Sequence, residues 1–361
     1  MWFLRKLDWW LLGAVLFLIF VSLAMMISLS NRDPEPLAWF WRQLAWLAVG
    51  VVSFLMFAHL DYRVFRTSTA AVFGIYAVSV VLLVLVLIFG KTVHGSRAWF
   101  DFGSVTFQPV ELVKAALLFV FAKYFAEQNI EIWRFRHVAL SALYLSVPLL
   151  LVLLQPDWGS GLTLGALWFG MILMAGARGR QVAILVFIFL FLGALSWTVF
   201  LTENQKSRIM TVFQPERDPF GIAYNQRQAL IAIGSGGLLG KGLGEGSQTQ
   251  LKFLPASRTD FVFAALAEEL GFLGALAVLA AYGIIFFQIA KLALAGNNNF
   301  ARLFSLGFLI LLATHIAINL GMNLGVFPVI GIGLPFVSYG GSSLVVLSML
   351  LGVVMSIKAK G

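Results

Sequence analysis

The stretch Phe253-Leu254-Pro255-Ala256-Ser257-Arg258-Thr259-Asp260 joins a polar, glycine-rich segment to an apolar run of membrane length near 261–290. A chain that passes from such a loop into a run this long is entering a bilayer. It does so with a carboxylate, Asp260, and a guanidinium, Arg258, at the water edge. Ionisable groups are costly near hydrocarbon, so one kept at this boundary is a functional candidate by default.

Working outward, the composition agrees. The 361 residues are 60% hydrophobic and 11% charged, with a mean hydropathy of +0.93. Soluble domains carry about 25% charged residues, so this chain has too little polar surface to dissolve. Spanning helices show as runs of about 17–25 apolar residues. Ten are predicted, near 9–29, 38–58, 70–89, 109–126, 138–154, 161–176, 181–201, 261–290, 303–325 and 340–357. The expected fold is an all-α polytopic membrane protein with about ten transmembrane helices, a single domain over 1–361. The first run, after Arg5 and Lys6, is too long for a signal-peptide core and lacks a following small-x-small cleavage site.

Alternate short loops differ in charge: thirteen Lys and Arg lie on the side of the termini and four on the other. The positive-inside rule then places both termini in the cytoplasm. The large loop between helices 7 and 8, about 202–260, is therefore expected to be extracellular. The net charge of +9 serves these cytoplasmic loops, and no basic helix or aromatic-basic motif points to nucleic acid. Cysteine is absent, and His59, His94, His137 and His315 are scattered, so no thiolate or histidine metal cluster is expected.

The long loop opens with Thr202-Glu203-Asn204, turns at Pro215-Glu216-Arg217-Asp218-Pro219, and holds an amphipathic helix around 222–233. Gly234-Ser235-Gly236-Gly237 and Gly240-Lys241-Gly242-Leu243-Gly244-Glu245-Gly246 follow. A Walker loop needs glycine five residues before its Gly-Lys pair and Ser or Thr after it; here Ser235 and Gly242 stand there. Two readings remain: a flexible loop that approaches its neighbours closely, or a backbone-amide cradle for a pyrophosphate.

Glu111 and Lys114 sit three apart on one helix face, as a structural ion pair or as part of a lined site. Asp157, in Gln155-Pro156-Asp157-Trp158-Gly159-Ser160, is a helix cap or a site residue. Arg97, in His94-Gly95-Ser96-Arg97-Ala98-Trp99, meets either lipid phosphate or substrate. Asp260 suits both the N-cap of the eighth helix and a general base, and Lys252 adds a cation nearby. Glu268 and Glu269, two turns deeper, are expected to hold helices together. With no Ser-His-Asp or His-Glu-x-x-His pattern, one base beside cations suits transfer from an activated donor, whose leaving group needs charge stabilisation.

At these residues the chain resembles the SEDS family (shape, elongation, division and sporulation) nearly end to end. The resemblance is carried by Gln108-Pro109-x-Glu111-x-x-Lys114, Gln155-Pro156-Asp157-x-Gly159-Ser160 and Ala232-Ile233-Gly234-Ser235-Gly236-Gly237. It continues in Phe253-Leu254-Pro255, Thr259-Asp260-Phe261, Glu268-Glu269-x-Gly271 and Leu334-Pro335-Phe336-x-Ser338-Tyr339-Gly340-Gly341-Ser342-Ser343. Short tails, the Asp218-Pro219-Phe220-Gly221 turn and the absence of lysine from Pro328-Val329-Ile330-Gly331-Ile332-Gly333 favour the RodA branch over FtsW. Val110 replaces the family's usual serine, and Ala98 separates Arg97 from Trp99.

The resemblance implies a peptidoglycan glycosyltransferase that polymerises lipid II outside the bacterial cytoplasmic membrane, for elongation and rod shape. It implies a class B penicillin-binding protein as transpeptidase partner, with MreC and MreD in the same machinery. No tightly bound cofactor is expected, and Mg or Mn is a candidate ion. Asp260 would be the general base of an inverting transfer. Glu111, Lys114, Arg258, Asp157, Arg97 and Lys252 would bind substrate. The rival reading is a lipid II flippase, with Glu111 and Lys114 on a headgroup path.

Overall fold

The structure, a computed structural model, describes residues 7–30, 35, 37–93, 95–103, 106–127, 135–199, 201, 203–214, 221–296 and 298–361. Arg5, Lys6, His94, Thr202 and the 215–220 turn lie outside the described residues. In order come α1 (Trp9–Ser28), α2 (Ala38–His59), α3 (Arg63–Thr67) and α4 (Thr69–Phe89), then strands β1 (Lys91–Val93), β2 (Ser96–Asp101) and β3 (Thr106–Phe107). Next are α5 (Pro109–Glu127), α6 (Phe135–Leu154), α7 (Trp158–Met174), α8 (Gly179–Val199), α9 (Glu203–Phe213), α10 (Ile222–Ser235) and α11 (Ser247–Gln250). The chain closes with α12 (Val262–Ala295), α13 (Asn299–Asn323) and α14 (Gly341–Lys360).

Each of the ten apolar runs is a helix. Eight, α1, α2, α4, α6, α8, α12, α13 and α14, are long and apolar enough to cross a membrane. The other two are α5, which carries Glu111, Lys114 and Lys123, and α7, only 17 residues long. The protein is a multi-pass helical membrane protein. Helix ends differ from the runs where polar residues cap them. Asp157 starts α7 at Trp158, and the Asn298 side chain, accepting from Ala301 N at 2.9 Å, starts α13 at Asn299.

α5 can hold charges because it is the interior helix. It packs against α4, α6, α7, α13 and α14, and most of its length is buried. Phe119 on it lies 4.5 Å from Phe65 and 5.0 Å from Phe304, centroid to centroid. By contrast α8 exposes Phe187, Leu190 and Phe191 on an apolar surface.

The predicted helix near 222–233 is α10, and the loop also contains α9, whose polar sequence reads as an entry loop. The long helix α12 breaks at Gly271, with φ +69° and ψ −169°. There the glycine-rich segment repairs the lost hydrogen bonds. Phe272 N and Leu273 N donate to Gly237 O and Leu238 O, at 2.9 and 3.2 Å. Glu268 O and Glu269 O accept from Lys241 N and Gly242 N, each at 3.0 Å. A side chain at Gly240 would put its Cβ 2.1 Å from Glu269 O. Close approach is therefore the correct reading of these glycines. A diphosphate cradle is not, since the amides of Lys241 and Gly242 are already bonded.

Candidate functional site

Asp260 lies between α11 and α12, half-buried. Phe261, not Asp260, occupies the N-cap of α12, and no side chain caps that end. The capping alternative for Asp260 is thus corrected: Thr259 N and Phe261 N both turn back to Ala256 O, at 3.1 and 3.2 Å, which displaces the cap by one residue.

Three successive carbonyls fix this segment. Arg258 O accepts from Tyr339 N at 2.8 Å, and Thr259 O from Ser338 Oγ at 2.6 Å. Asp260 O accepts from the Nδ2 atoms of Asn319 and Asn323 on α13, at 2.9 and 3.0 Å. Asn319 also donates to Ile332 O at 2.8 Å, and Asn323 Oδ1 accepts from Ala264 N at 3.0 Å. Both asparagines are buried. On the side-chain side, Gly331, at φ +73°, is so placed that a Cβ would stand 3.8 Å from Asp260 Oδ2.

Arg258 Nη2 donates to Leu29 O at 2.6 Å, and its Cζ lies 5.0 Å from the Trp39 ring centroid. Trp39 stands edge-on to Tyr339 at 5.0 Å. Glu111 and Lys114 form a buried ion pair at 2.8 Å, and Lys114 Nζ also lies 3.2 Å from His315 Nε2. His315, Asn319 and Asn323 recur every four residues, hence along one face of α13. Glu111, Lys114 and His315 are thus linked in series, and Asn319, which holds the Asp260 peptide, lies one turn further along the same face of α13. His315, Asn319 and Asn323 escape the sequence reading, although their spacing within an apolar run is the signal that marks them.

The remaining expected residues take other posts. Asp157 caps α7 through Ser160 N at 3.0 Å and Ser160 Oγ at 2.7 Å, and accepts from Gln108 Nε2 at 3.2 Å. Gln108 N in turn donates to Ser342 Oγ at 3.0 Å. The N-termini of α5, α7 and α14 so meet at one end of the bundle, where helix dipoles are positive. Arg97 stays on the β-hairpin, its Nη1 donating to Leu87 O at 3.2 Å. Lys252 is exposed, at φ +60°, beyond α11.

Glu268 and Glu269 bond the glycine-rich segment, α11 and α1 to α12. Glu268 accepts from Lys241 Nζ at 2.8 Å, Gln248 N at 2.9 Å and Thr249 N at 3.1 Å. Glu269 accepts from Ser28 Oγ and, at 3.1 Å, from Gln250 Nε2. Among the described residues no group of three or more His, Asp or Glu could hold a metal ion.

Comparison with known proteins matches this architecture. The FtsW/RodA/SpoVE family model, described as cell cycle protein, matches residues 4–361. Peptidoglycan glycosyltransferase MrdB of Escherichia coli K12 is 37% identical over 283 residues, 78% of this chain and 76% of that protein. A probable peptidoglycan glycosyltransferase FtsW from Thiomicrospira cyclica is 38% identical over 288 residues, covering 78% and 73%. Among solved structures, a chain of a peptidoglycan synthase complex coordinating polymerization and crosslinking superposes with TM-score 0.81 at 31% identity, covering 98% of each chain. Thermus thermophilus RodA superposes with TM-score 0.72 at 31% identity, covering 98% and 96%. By its helices, its ordered motifs and these matches over most of its length, the chain belongs to the SEDS family of FtsW, RodA and SpoVE proteins.

Proposed function

We propose that the protein is a peptidoglycan glycosyltransferase that extends glycan strands from lipid II at the outer face of the bacterial cytoplasmic membrane. Asp260 is the general base. The acceptor 4-hydroxyl of a lipid-linked N-acetylglucosamine attacks the anomeric carbon of the donor sugar, and its proton passes to the Asp260 carboxylate. The bond from that carbon to the diphosphate oxygen breaks, and the electron pair departs with polyprenyl diphosphate. One displacement converts an α-linked donor to a β-linked glycan. A positioned base contributes about 10²–10⁴-fold.

The observation that carries this reading is the clamping of three successive carbonyls, at Arg258, Thr259 and Asp260, in the backbone of a half-buried aspartate. A rigid backbone at the base is what positioning for transfer requires. Arg258 supports the leaving diphosphate together with the helix N-termini. Lys114, shared between Glu111 and His315, acts through the α13 face that also bears Asn319. The synthase-complex relative supports a class B penicillin-binding protein as crosslinking partner, and MreC and MreD complete the proposed assembly.

The test is polymerisation by purified protein given lipid II in detergent. Wild type should make glycan, and Asp260→Asn should make none while melting normally. Near-normal product from Asp260→Asn defeats the base assignment. Detergent also removes the two sides of a membrane, so product there excludes a protein that only flips lipid.

A further inference from the structure

Three consecutive residues of the loop that runs past Asp260 meet three different elements. Gly331 lies against the base, where a Cβ would stand 3.8 Å from Asp260 Oδ2. Ile330 O is pressed onto the N-terminus of α7, so that a Cβ at Gly159 would stand 2.5 Å from it. Val329 O accepts from Arg208 Nη1 of α9 at 3.4 Å. The loop is held on both sides of these contacts. Phe327 O accepts from Gln226 Nε2 at 2.7 Å, Ile330 N donates to Met322 Sδ at 3.2 Å, and Ile332 O accepts from Asn319 Nδ2 at 2.8 Å.

Arg208 is half-buried, and among the described residues its guanidinium makes that single long hydrogen bond and no ion pair. A guanidinium carries five N–H donors, so most of its capacity is left for a ligand. Neighbouring cations are committed by contrast: Lys206 to Glu203, Lys241 to Glu268 and Lys114 to Glu111. Two residues of extended chain span about 7 Å, so the Asp260 carboxylate and the Arg208 guanidinium stand on the order of 10 Å apart across this loop. An in-line displacement needs about 10 Å between them, from base to acceptor oxygen, to anomeric carbon, to leaving oxygen and on to a donor beyond it.

We infer that Arg208 is a further substrate-binding residue, which holds the donor's diphosphate on the far side of the anomeric carbon from Asp260. The inference rests on the proposed function and brings into it a residue of the loop between α8 and α12. Guanidinium N–H groups match nonbridging phosphate oxygens in pairs. As the bond from the anomeric carbon to oxygen breaks, its electron pair adds charge to the diphosphate, and the contact strengthens. No proton leaves Arg208.

The test is lipid II polymerisation by full-length protein in detergent, comparing wild type with Arg208→Gln and Arg208→Lys. Glutamine keeps an N–H for Val329 O and discards the charge. Arg208→Gln should melt like wild type yet lose about 10–100-fold in kcat, as for loss of a hydrogen bond to a charged group. Arg208→Lys should recover part of it. Polyprenyl diphosphate, which carries neither sugar nor peptide, should inhibit Arg208→Gln about tenfold more weakly than wild type, and polyprenyl monophosphate should shift less. In wild type the same diphosphate should shield Arg208 from phenylglyoxal, read by mass spectrometry, and this arm decides even where a variant does not fold. Wild-type turnover by Arg208→Gln overturns the inference, as does unchanged diphosphate inhibition or equal phenylglyoxal labelling with and without the lipid. Each of those, with wild type still making glycan, leaves the proposed function standing. A wild type that makes no glycan sinks the proposed function instead, and shielding then decides Arg208 by itself.

Discussion

Asn319 holds Asp260 by its peptide carbonyl, not by its carboxylate: Nδ2 donates to Asp260 O at 2.9 Å and to Ile332 O at 2.8 Å. One buried amide thus ties the start of α12 to the loop that runs past it. Asn319 is a positioning residue.

Asn319→Ala would take the side-chain donor from Ile332 O, at about 1–3 kcal/mol for a buried group, and leave Asp260 O with Asn323 alone. The expected result is a lower melting temperature together with a fall in kcat of about tenfold or more, with KM little changed. Asn319→Asp keeps the shape but replaces the donor by oxygen, so it should fail equally. Normal turnover in a destabilised Asn319→Ala would confine the residue to a structural role.

Two glycines in one segment should behave oppositely. Gly240 has φ +81°, and a Cβ there would meet Glu269 O at 2.1 Å, whereas at Gly234, inside α10, a Cβ meets nothing within 4 Å. Gly240→Ala should sharply lower thermal stability and speed amide exchange at Lys241 and Gly242, whose bonds bridge the α12 break. Gly234→Ala should be neutral or gain up to about 1 kcal/mol, as expected within a helix. Equal melting of the two variants would refute the packed-strut account.

Much of this was legible in the sequence because a bilayer sets helix length, so all ten apolar runs announce themselves. The helix ends were less so, because Asp157 and Asn298 extend helices into polar sequence. α9 carries Glu203, Lys206 and Arg208 and no apolar run, which hid it. Asp260 stood out because charge at a membrane edge is rare. Asn319 and Asn323 are uncharged and were passed over, although burial makes them the firmest contacts of the site. Arg97 was left open between lipid phosphate and substrate, and Asp157 between helix cap and site residue. The bonds they make, to Leu87 O and from Gln108 Nε2, depend on how the hairpin and the α5 entry fold back.

The chain's ends are joined at Asp8, whose Oδ2 accepts from Lys358 Nζ at 2.5 Å. Burial pushes the Asp8 carboxyl up, but hydrogen bonds from Lys358 and Leu11 N, with the Lys358 charge, outweigh it and hold the group below its ordinary range. A lowered folded value means stability present above the unfolded pKa, about 3.9, and lost as pH falls through the folded one. Thermal melts of wild type and Asp8→Asn should therefore differ at pH 7, by about 1 kcal/mol or less for a pair whose lysine is exposed. They should begin to approach below pH ~4 and meet only below the lowered folded value. A gap that persists there would show that the carboxylate charge is irrelevant.

The Glu111–Lys114 pair separates structure from function most cleanly. Both are buried, at 7% and 3% exposure, so removing the acid strands an ammonium beside His315. Glu111→Ala should cost about 3–5 kcal/mol. The double variant Glu111→Leu with Lys114→Met removes both charges, and such exchanges are often neutral or stabilising, so its melting should return toward wild type. If the pair were only an internal strut, polymerisation would return with it. Because Lys114 also meets His315, one turn from the asparagine that clamps Asp260, the double variant should stay folded and nearly inactive. Recovery of both stability and glycan synthesis would reduce the pair to packing.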